Sequence, residues 1–197
     1  MLANATQFLL ETAFHLFVLA ALLRFFMQVF RAPLRNPLVQ FVNALTDFAV
    51  LPARKFVPGW KGYDLASLFV AWLAEVILQT FILGLRNLPA LSAGMHVFPV
   101  IALLAAVMIF KWCIYLLICV VFVQAVMSWF NPYHPLSPLL NSLTKPFLDP
   151  IRKRMPLIGN VDLSPLVVFV VCQLILMLPV RWLELQGARL LTGSLLP

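Results

Sequence analysis

Long apolar segments dominate the sequence and decide what it can fold into. Four of them, at about residues 8–30, 65–85, 106–129 and 164–183, contain few charges. A helix of about 20 apolar residues crosses the roughly 30 Å hydrocarbon core of a bilayer. Hydrophobic residues make up 63% of the chain, which leaves too few polar side chains to cover a soluble globule. We therefore predict an all-α membrane protein with four transmembrane helices.

A second feature is a match between two halves of the chain at a constant offset of 98 residues. The basic segment 52–58 (Pro-Ala-Arg-Lys-Phe-Val-Pro) returns as 150–156 (Pro-Ile-Arg-Lys-Arg-Met-Pro). Identities at the same offset continue on both sides of these segments, and they include Pro37 with Pro135, Asn43 with Asn141, Thr46 with Thr144, Asp64 with Asp162 and Leu68 with Leu166. We predict two copies of one unit, each an apolar span, a basic loop and a second apolar span.

The match divides the chain into consecutive parts. These are a first repeat at 1–88, a connector at 89–98, a second repeat at 99–187 and a short tail at 188–197. The apolar stretch 97–130 is too long for one level span. We therefore expect residues 99–110 to form a tilted extension of the third span or a separate interfacial piece.

Each basic loop begins with a short amphipathic pattern. Asn36-Pro37 is typical of a helix start, with a capping residue followed by proline at the first helical position. Apolar residues then recur at spacings of three and four, as Leu38, Phe41, Val42, Leu45, Phe48 and Ala49 in the first loop and as Leu136, Leu139, Leu140, Leu143, Phe147 and Leu148 in the second. Each helix is too short to span, so we expect it to lie in the membrane interface, apolar face down. The alternative is a helix packed on the bundle's own loops.

A Pro-x-Arg-Lys elbow follows each of these helices. We expect proline to end the helix and to hold the basic side chains on a stiff, non-helical bend. The candidates for binding anionic lipid headgroups or an acidic partner are Arg54, Lys55, Arg152, Lys153 and Arg154. Each such charge near a membrane surface contributes about 1 kcal/mol. The same charges also serve simply to orient the protein in the membrane, and this second interpretation stays open.

The positive charges also predict the topology. Loop 31–64 carries five Lys and Arg residues and loop 131–162 carries four, whereas none precedes the first span. The positive-inside rule places both loops in the cytoplasm and both termini outside. The two repeats are then parallel. Most of the positive charge, nine of the 14 Lys and Arg residues, lies in these loops rather than in a soluble domain, so no direct nucleic-acid partner is predicted.

Polar side chains inside the apolar segments form a second group of candidates. Glu75 and Gln173 occupy equivalent positions, and we expect a pseudo-symmetric polar pair at mid-membrane. Glu11 and Lys111 are a candidate intramembrane ion pair that His15 can join. Such groups either mark an ion path or act as hydrogen-bonded contacts between helices. Arg24, near the end of the first span, is expected to snorkel to the interface.

No catalytic site, cofactor or metal site is predicted. The three cysteines, Cys113, Cys119 and Cys172, lie inside apolar runs and form no Cys-x-x-Cys pair. No spacing of His, Asp or Glu completes a metal site, a nucleophile with its base, or a phosphate-binding loop. An enzyme is therefore the least favoured class.

The basic segments and their surroundings resemble the YggT family, called YlmG in plastids and cyanobacteria. The residues that carry the resemblance are Arg35-Asn36-Pro37-Leu38, Leu45-Thr46, Pro52-x-Arg54-Lys55-x-x-Pro58, Asp64, Ser128-Trp129, Asn141, Leu143-Thr144, Pro146, Pro150-x-Arg152-Lys153-x-x-Pro156 and Asp162-x-Ser164-Pro165. The first copy departs from the pattern at Asp47-Phe48, where the family tends to have a proline as at Pro146.

The resemblance implies a small, multi-pass protein of the bacterial inner membrane without an assigned enzymatic activity. Members of the family are linked to osmotic or potassium tolerance, to division and nucleoid distribution, and to cytochrome assembly in plastids. We expect a non-enzymatic scaffold, assembly or accessory protein that uses its two basic elbows to dock a membrane-protein partner or anionic lipid. The alternative is an ion channel or transporter, which would have to be a homo-oligomer because four spans leave little room for a pore.

Overall fold

The chain folds as a bundle of helices. The computed structural model describes residues 2–33, 36–59, 63–85, 97–131, 133–154 and 162–195. Its helices are α1 (Leu2–Val29), α2 (Pro37–Ala53), α3 (Leu65–Leu85), α4 (Val97–Phe130), α5 (Ser137–Arg152), α6 (Ser164–Ile175) and α7 (Arg181–Leu195). A π-helical turn, Leu176–Val180, joins α6 to α7 and contains Pro179. No strand occurs in these ranges, as predicted.

Within the described ranges, four helices are long and apolar enough to cross a membrane: Asn4–Val29, Leu65–Leu85, Val97–Phe130 and Ser164–Leu191. They coincide with the four predicted apolar segments. Of the two alternatives for residues 99–110, the structure shows the extension of the third span, because α4 is one continuous helix. The structure differs from the expectation at the end of the last span. The expected tail continues the last span as helix as far as Leu195, because its leucines and alanine favour helix and no proline interrupts it.

Both basic loops lie at the same end of the bundle. α1 packs against α3 and α4, and α4 packs against α5, α6 and α7. Just beyond α1, the Asn36 side chain donates a hydrogen bond of 3.0 Å to the carbonyl of Pro135, just beyond α4. Buried Val39 of α2 and Leu139 of α5 belong to one apolar cluster with Met27 of α1. α1 and α4 therefore run in the same direction.

The loop helices begin as the sequence predicts, but α2 turns a different face inward. The Asn36 side chain accepts a hydrogen bond from the Leu38 amide, and Pro37 is the first helical residue. The buried face of α2 consists of Val39, Val42, Thr46 and Val50, while Phe41, Leu45 and Phe48 of the predicted stripe are exposed. α5 buries most of its predicted stripe against the bundle, at Leu139, Leu140, Leu143 and Leu148.

The elbows are more helical than expected. α2 passes through Pro52 and ends at Ala53, and Arg54 keeps a right-handed helical conformation as its capping residue. α5 passes through Pro150 and includes Arg152 in its last turn. Proline is tolerated there because both helices are amphipathic and packed on the bundle, which offsets the missing hydrogen bond. Pro156 lies outside the described residues.

Candidate functional site

The first junction between loop and span is built around Asp64, directly before α3. Its carboxylate is 2% exposed and accepts hydrogen bonds from Arg54 at 2.6 Å and from the Ser67 hydroxyl at 2.7 Å, while Arg24 Nε lies 3.7 Å away. Burial by itself would raise the pKa of Asp64. The hydrogen bonds from Arg54 and Ser67 and the charges of Arg54 and Arg24 outweigh burial and hold the pKa below its usual value.

Arg24 closes the same junction from the first span. It is 7% exposed and donates from one nitrogen to Asp47 at 2.7 Å, to the Thr46 hydroxyl at 2.8 Å and to the Asn43 carbonyl at 3.3 Å. Arg24 was expected to snorkel to the interface; it reaches the loop at the end of its span, and it is buried there against Asp47 and Asp64. Two carboxylates of the loop end lie within its reach, and pairing there satisfies a guanidinium better than extension past apolar neighbours.

The second junction repeats the central ion pair in a more open setting. Arg152 and Asp162, each 98 residues after Arg54 and Asp64, are paired at 2.7 Å. The Asp162 carboxylate also accepts a hydrogen bond of 2.9 Å from the Ser164 amide, but its side chain is 28% exposed. Burial would raise the pKa of Asp162, and the hydrogen bonds from Ser164 and Arg152 outweigh it, so this pKa also lies below its usual value.

A glutamine takes the place of the buried arginine at the second junction. Thr46 and Thr144 are 98 residues apart, and their hydroxyls donate to the carbonyls of Val42 and Leu140, respectively. Thr46 accepts from Arg24, whereas Thr144 is hydrogen-bonded to Gln124.

Gln124 also donates a hydrogen bond of 2.5 Å to Asn141. Gln124 lies 100 residues after Arg24, two positions beyond the constant offset, and it contacts Thr144 as Arg24 contacts Thr46. It is too short to reach past Asn141 to Asp162, and no hydrogen bond between Gln124 and Asp162 is seen in the part of the chain that is described.

The structure separates the predicted basic candidates into two kinds. Arg54 and Arg152 are engaged with Asp64 and Asp162, so their charges are largely neutralised. The other three candidates, Lys55, Lys153 and Arg154, are exposed as the two arginines are, but no ion pair holds them in the described ranges. Phe56, next to Lys55, is 83% exposed. The outward face of the loop end is thus basic and partly aromatic, and the two arginines fix the backbone behind it.

Four of the five intramembrane candidates lie around one cavity, and Gln173 does not. Glu75 is 1% exposed, accepts a hydrogen bond of 2.9 Å from Trp112 Nε1, and lies 3.7 Å from His15 Nε2. These residues line a cavity of about 250 Å³ that Glu11 and Lys111 also border.

The predicted pairings in this region are wrong. Lys111 pairs with Glu184 of α7 at 2.6 Å, while Glu11 accepts from Gln7 one helical turn away. Gln173 is exposed on α6, a helix that does not pack against α3 in the described ranges, so it forms no pair with Glu75.

Sequence reasoning missed the roles of Arg24, Trp112 and Glu184. A signal for Arg24 exists, since Asp47 and Asp64 are the acidic residues of an otherwise basic loop. No group of three or more His, Cys, Asp or Glu side chains in the described ranges is arranged to hold a metal ion. The arrangement offers a basic surface at the loop ends and two Arg–Asp ion pairs, which we call clamps, that hold each loop end to the next span.

Comparison with known proteins places the chain in a family. The sequence profile of the CCB3/YggT family matches it in two segments, 3–86 and 91–183. An uncharacterized protein of Pseudomonas aeruginosa is 34% identical over 91% of this chain and 90% of its own length. The uncharacterized protein YggT of Escherichia coli is 30% identical over 96% of this chain and 97% of its own length. No solved structure matches. The coverage is nearly complete in each case, and the chain belongs to the CCB3/YggT family.

Proposed function

We propose that this protein is a non-enzymatic scaffold or assembly protein of the bacterial inner membrane. Its two halves are copies of one unit in parallel orientation, with both basic loops in the cytoplasm and both termini outside. It docks the acidic surface of a membrane-protein partner, with anionic headgroups as the alternative ligand of the same cations. The observation that carries the proposal is the pair of equivalent clamps, Arg54–Asp64 and Arg152–Asp162, at one end of the bundle.

The clamps suit docking because they restrict the loop ends before a partner arrives. Each joins the end of a loop helix to the residues that begin the next span, through hydrogen bonds of 2.6–2.8 Å. A surface that is ordered in advance loses less conformational entropy on binding. A floppy basic tail would satisfy the positive-inside rule equally well, so the clamps support a role beyond orientation.

The docking contacts are assigned to Lys55, Lys153 and Arg154. They are exposed, and no ion pair occupies them among the described residues. Arg54 and Arg152 are positioning residues, because breaking their pairs would expose a carboxylate to the acidic partner. Charged groups at the rim of an interface steer association and set specificity more than affinity.

A pull-down from native membranes in mild detergent tests the proposal. The tagged wild type should retain a membrane-protein partner, identified by mass spectrometry, and a variant with Lys55→Gln, Lys153→Gln and Arg154→Gln should lose it. Arg181→Gln is the control, because Arg181 is a 68% exposed cation on the last span whose ion pair with Glu184 is long, at 3.9 Å. Undiminished partner recovery with the triple variant would contradict the proposal. Inverted topology of that variant would show that the charges serve orientation alone.

A second candidate function, an oligomeric ion channel or transporter, is favoured by the mid-bundle cavity. A carboxylate buried there faces His15 and Trp112, with no lysine or arginine within ion-pair distance in the described structure. Ionisable groups at this depth often serve ion movement. Glu75→Gln should abolish cation flux into proteoliposomes while expression and insertion persist, and Gln173→Leu should leave flux unchanged. Normal flux in Glu75→Gln would eliminate this candidate.

A further inference from the structure

A lateral cleft separates α4 from the start of α6, with α5 along its length. Its volume is about 430 Å³, within the range of about 300–1,000 Å³ typical of ligand pockets. Its walls are mostly apolar, with Phe122, Leu148, Leu166 and Phe169 among them. Its polar positions are Gln124, Ser128, Ser137, Asn141, Arg152 and Asp162. The cleft is distinct from the exposed lysines and from the mid-bundle cavity.

We call the space between a first span, its loop helix and the start of the next span a seam. In the first half, the seam between α1, α2 and the start of α3 is filled by the protein's own side chains. There Arg24 crosses from α1 to Asp47 and Asp64, and Asp64 is almost completely buried. In the second half, Gln124 ends at Thr144 and Asn141. The position equivalent to Asp47 is Lys145, so no second carboxylate is present to attract a cationic side chain from α4. The second seam therefore stays open and exposes its ion pair.

Two observations indicate an occupant that has polar groups and is thinner than an α-helix. The Ser137 hydroxyl is buried at the cleft without a hydrogen-bond partner among the described residues, and buried polar groups are ordinarily satisfied. A single helical turn with its side chains, roughly 10 Å across and 5.4 Å long, would fill the whole volume. A partner helix is thus too thick, whereas an extended hydrocarbon chain fits.

The depth of the cleft agrees with a lipid. It lies where the ends of α4 and α5 meet the start of α6, next to the loops. Trp129 at its rim is 71% exposed, and tryptophan is enriched at the headgroup level of membrane proteins. The mouth of the cleft therefore coincides with phosphates and glycerol, and its apolar walls with acyl chains.

We propose that the cleft binds one phospholipid whose headgroup carries both a phosphate and a primary ammonium. The ammonium donates to the Asp162 carboxylate, the phosphate accepts from Arg152, and one acyl chain lies along Phe122, Leu166 and Phe169. The ion pair leaves Arg152 43% and Asp162 28% exposed, so each keeps accessible polar atoms for the opposite charge of a zwitterion. A headgroup with phosphate alone would meet the repulsion of Asp162, and a quaternary ammonium could not donate a hydrogen bond to it. This site does not rest on the proposed docking role of the loops.

Lipid retention measured by native mass spectrometry tests the site. The full-length protein is reconstituted with equal amounts of phosphatidylethanolamine, phosphatidylcholine and phosphatidylglycerol, then extracted in mild detergent. We expect at least about threefold enrichment of phosphatidylethanolamine, and loss of that preference in Asp162→Asn. Equal retention of the three headgroups by the wild type, or stronger retention of phosphatidylglycerol, would overturn the assignment.

A second test introduces the arginine and the aspartate of the first half at the corresponding places of the second half. Gln124→Arg combined with Lys145→Asp should close the cleft as Arg24 closes its counterpart, and bound phospholipid should fall at least about fivefold. If that variant fails to accumulate, Ala125→Trp offers a second obstruction, since Ala125 lines the cleft. Unchanged retention in the folded variant contradicts the site.

A photo-crosslinking amino acid at position 125 identifies the occupant in native membranes. We expect an adduct with the mass of a phospholipid. A polypeptide adduct would show that a partner protein covers the cleft and would refute the proposal.

Discussion

The two junctions between loop and span carry the same ion pair and differ in how it is enclosed. Asp64 is buried beneath two arginines, whereas Asp162 has one arginine and remains partly exposed. The pairs themselves have nearly the same length, 2.6 and 2.7 Å. The difference comes from a residue in a neighbouring helix, Arg24 in one half and Gln124 in the other. The repeated sequence therefore predicts the Arg–Asp pair in both loops. The residue that the neighbouring span supplies, Arg24 or Gln124, decides how deeply the aspartate is buried.

The largest difference between the halves is expected for removal of the aspartates. Asp64→Asn removes a buried carboxylate between Arg24 and half-exposed Arg54. Breaking a fully buried ion pair costs about 3–5 kcal/mol of unfolding free energy, and we expect about 2–3 kcal/mol here because Arg54 is partly solvated. Thermal unfolding in detergent, followed by circular dichroism, measures this loss. Asp162→Asn is the matched control and should cost about 1 kcal/mol or less, because its pair is partly solvated. Equal losses would show that burial does not distinguish the two junctions.

Replacing Arg24 should have the next largest effect. Arg24→Gln removes hydrogen bonds to Asp47 and Thr46 that involve a charged donor, each worth about 1.5–3 kcal/mol, and we expect a net loss of about 2–3 kcal/mol. The reciprocal control, Gln124→Leu, removes neutral hydrogen bonds to Asn141 and Thr144 and should cost about half as much. The same unfolding assay compares them. A larger loss for Gln124→Leu would reverse the ranking of the two junctions.

The pH dependence of stability should differ least between the two junctions, because the pKa of the aspartate is lowered in both. Because the folded-state pKa values of Asp64 and Asp162 lie below their usual value, both pairs stabilise the fold fully above about pH 4. That stabilisation disappears as the pH falls through the folded-state pKa values. The melting temperature between pH 7 and pH 3 should therefore fall less steeply in Asp64→Asn than in the wild type. Parallel pH profiles would show that Asp64 contributes little to acid sensitivity.

Sequence reasoning succeeded where the determinants are local. The predicted second span, 65–85, matches α3, and the Asn36-Pro37 start of α2 is present with its capping hydrogen bond. These features follow from hydropathy and from capping chemistry within a few residues. The Arg–Asp clamps link residues only ten positions apart, so their recurrence at the same offset could have been read from the repeated arginines and aspartates.

The mistaken predictions concern contacts between distant helices. Glu11 was expected to pair with Lys111 because both occupy similar heights in their spans. The partner of Lys111 is Glu184, which lies on α7, the last helix, far along the chain from Glu11. Hydropathy gives the height of a residue in the membrane but not the direction in which its helix faces, so partners 73 residues apart cannot be chosen from sequence alone.

The length of α4 has a consequence for the surrounding bilayer. Its 34 residues correspond to roughly 51 Å at 1.5 Å per residue, well beyond the roughly 30 Å of hydrocarbon that surrounds a membrane protein. Accommodating the excess requires a steep tilt, a projecting apolar segment or a locally thickened membrane, each at a fraction of a kcal/mol per Å of mismatch. We therefore expect the protein to deform the lipid around α4 and to concentrate in membrane regions of greater thickness.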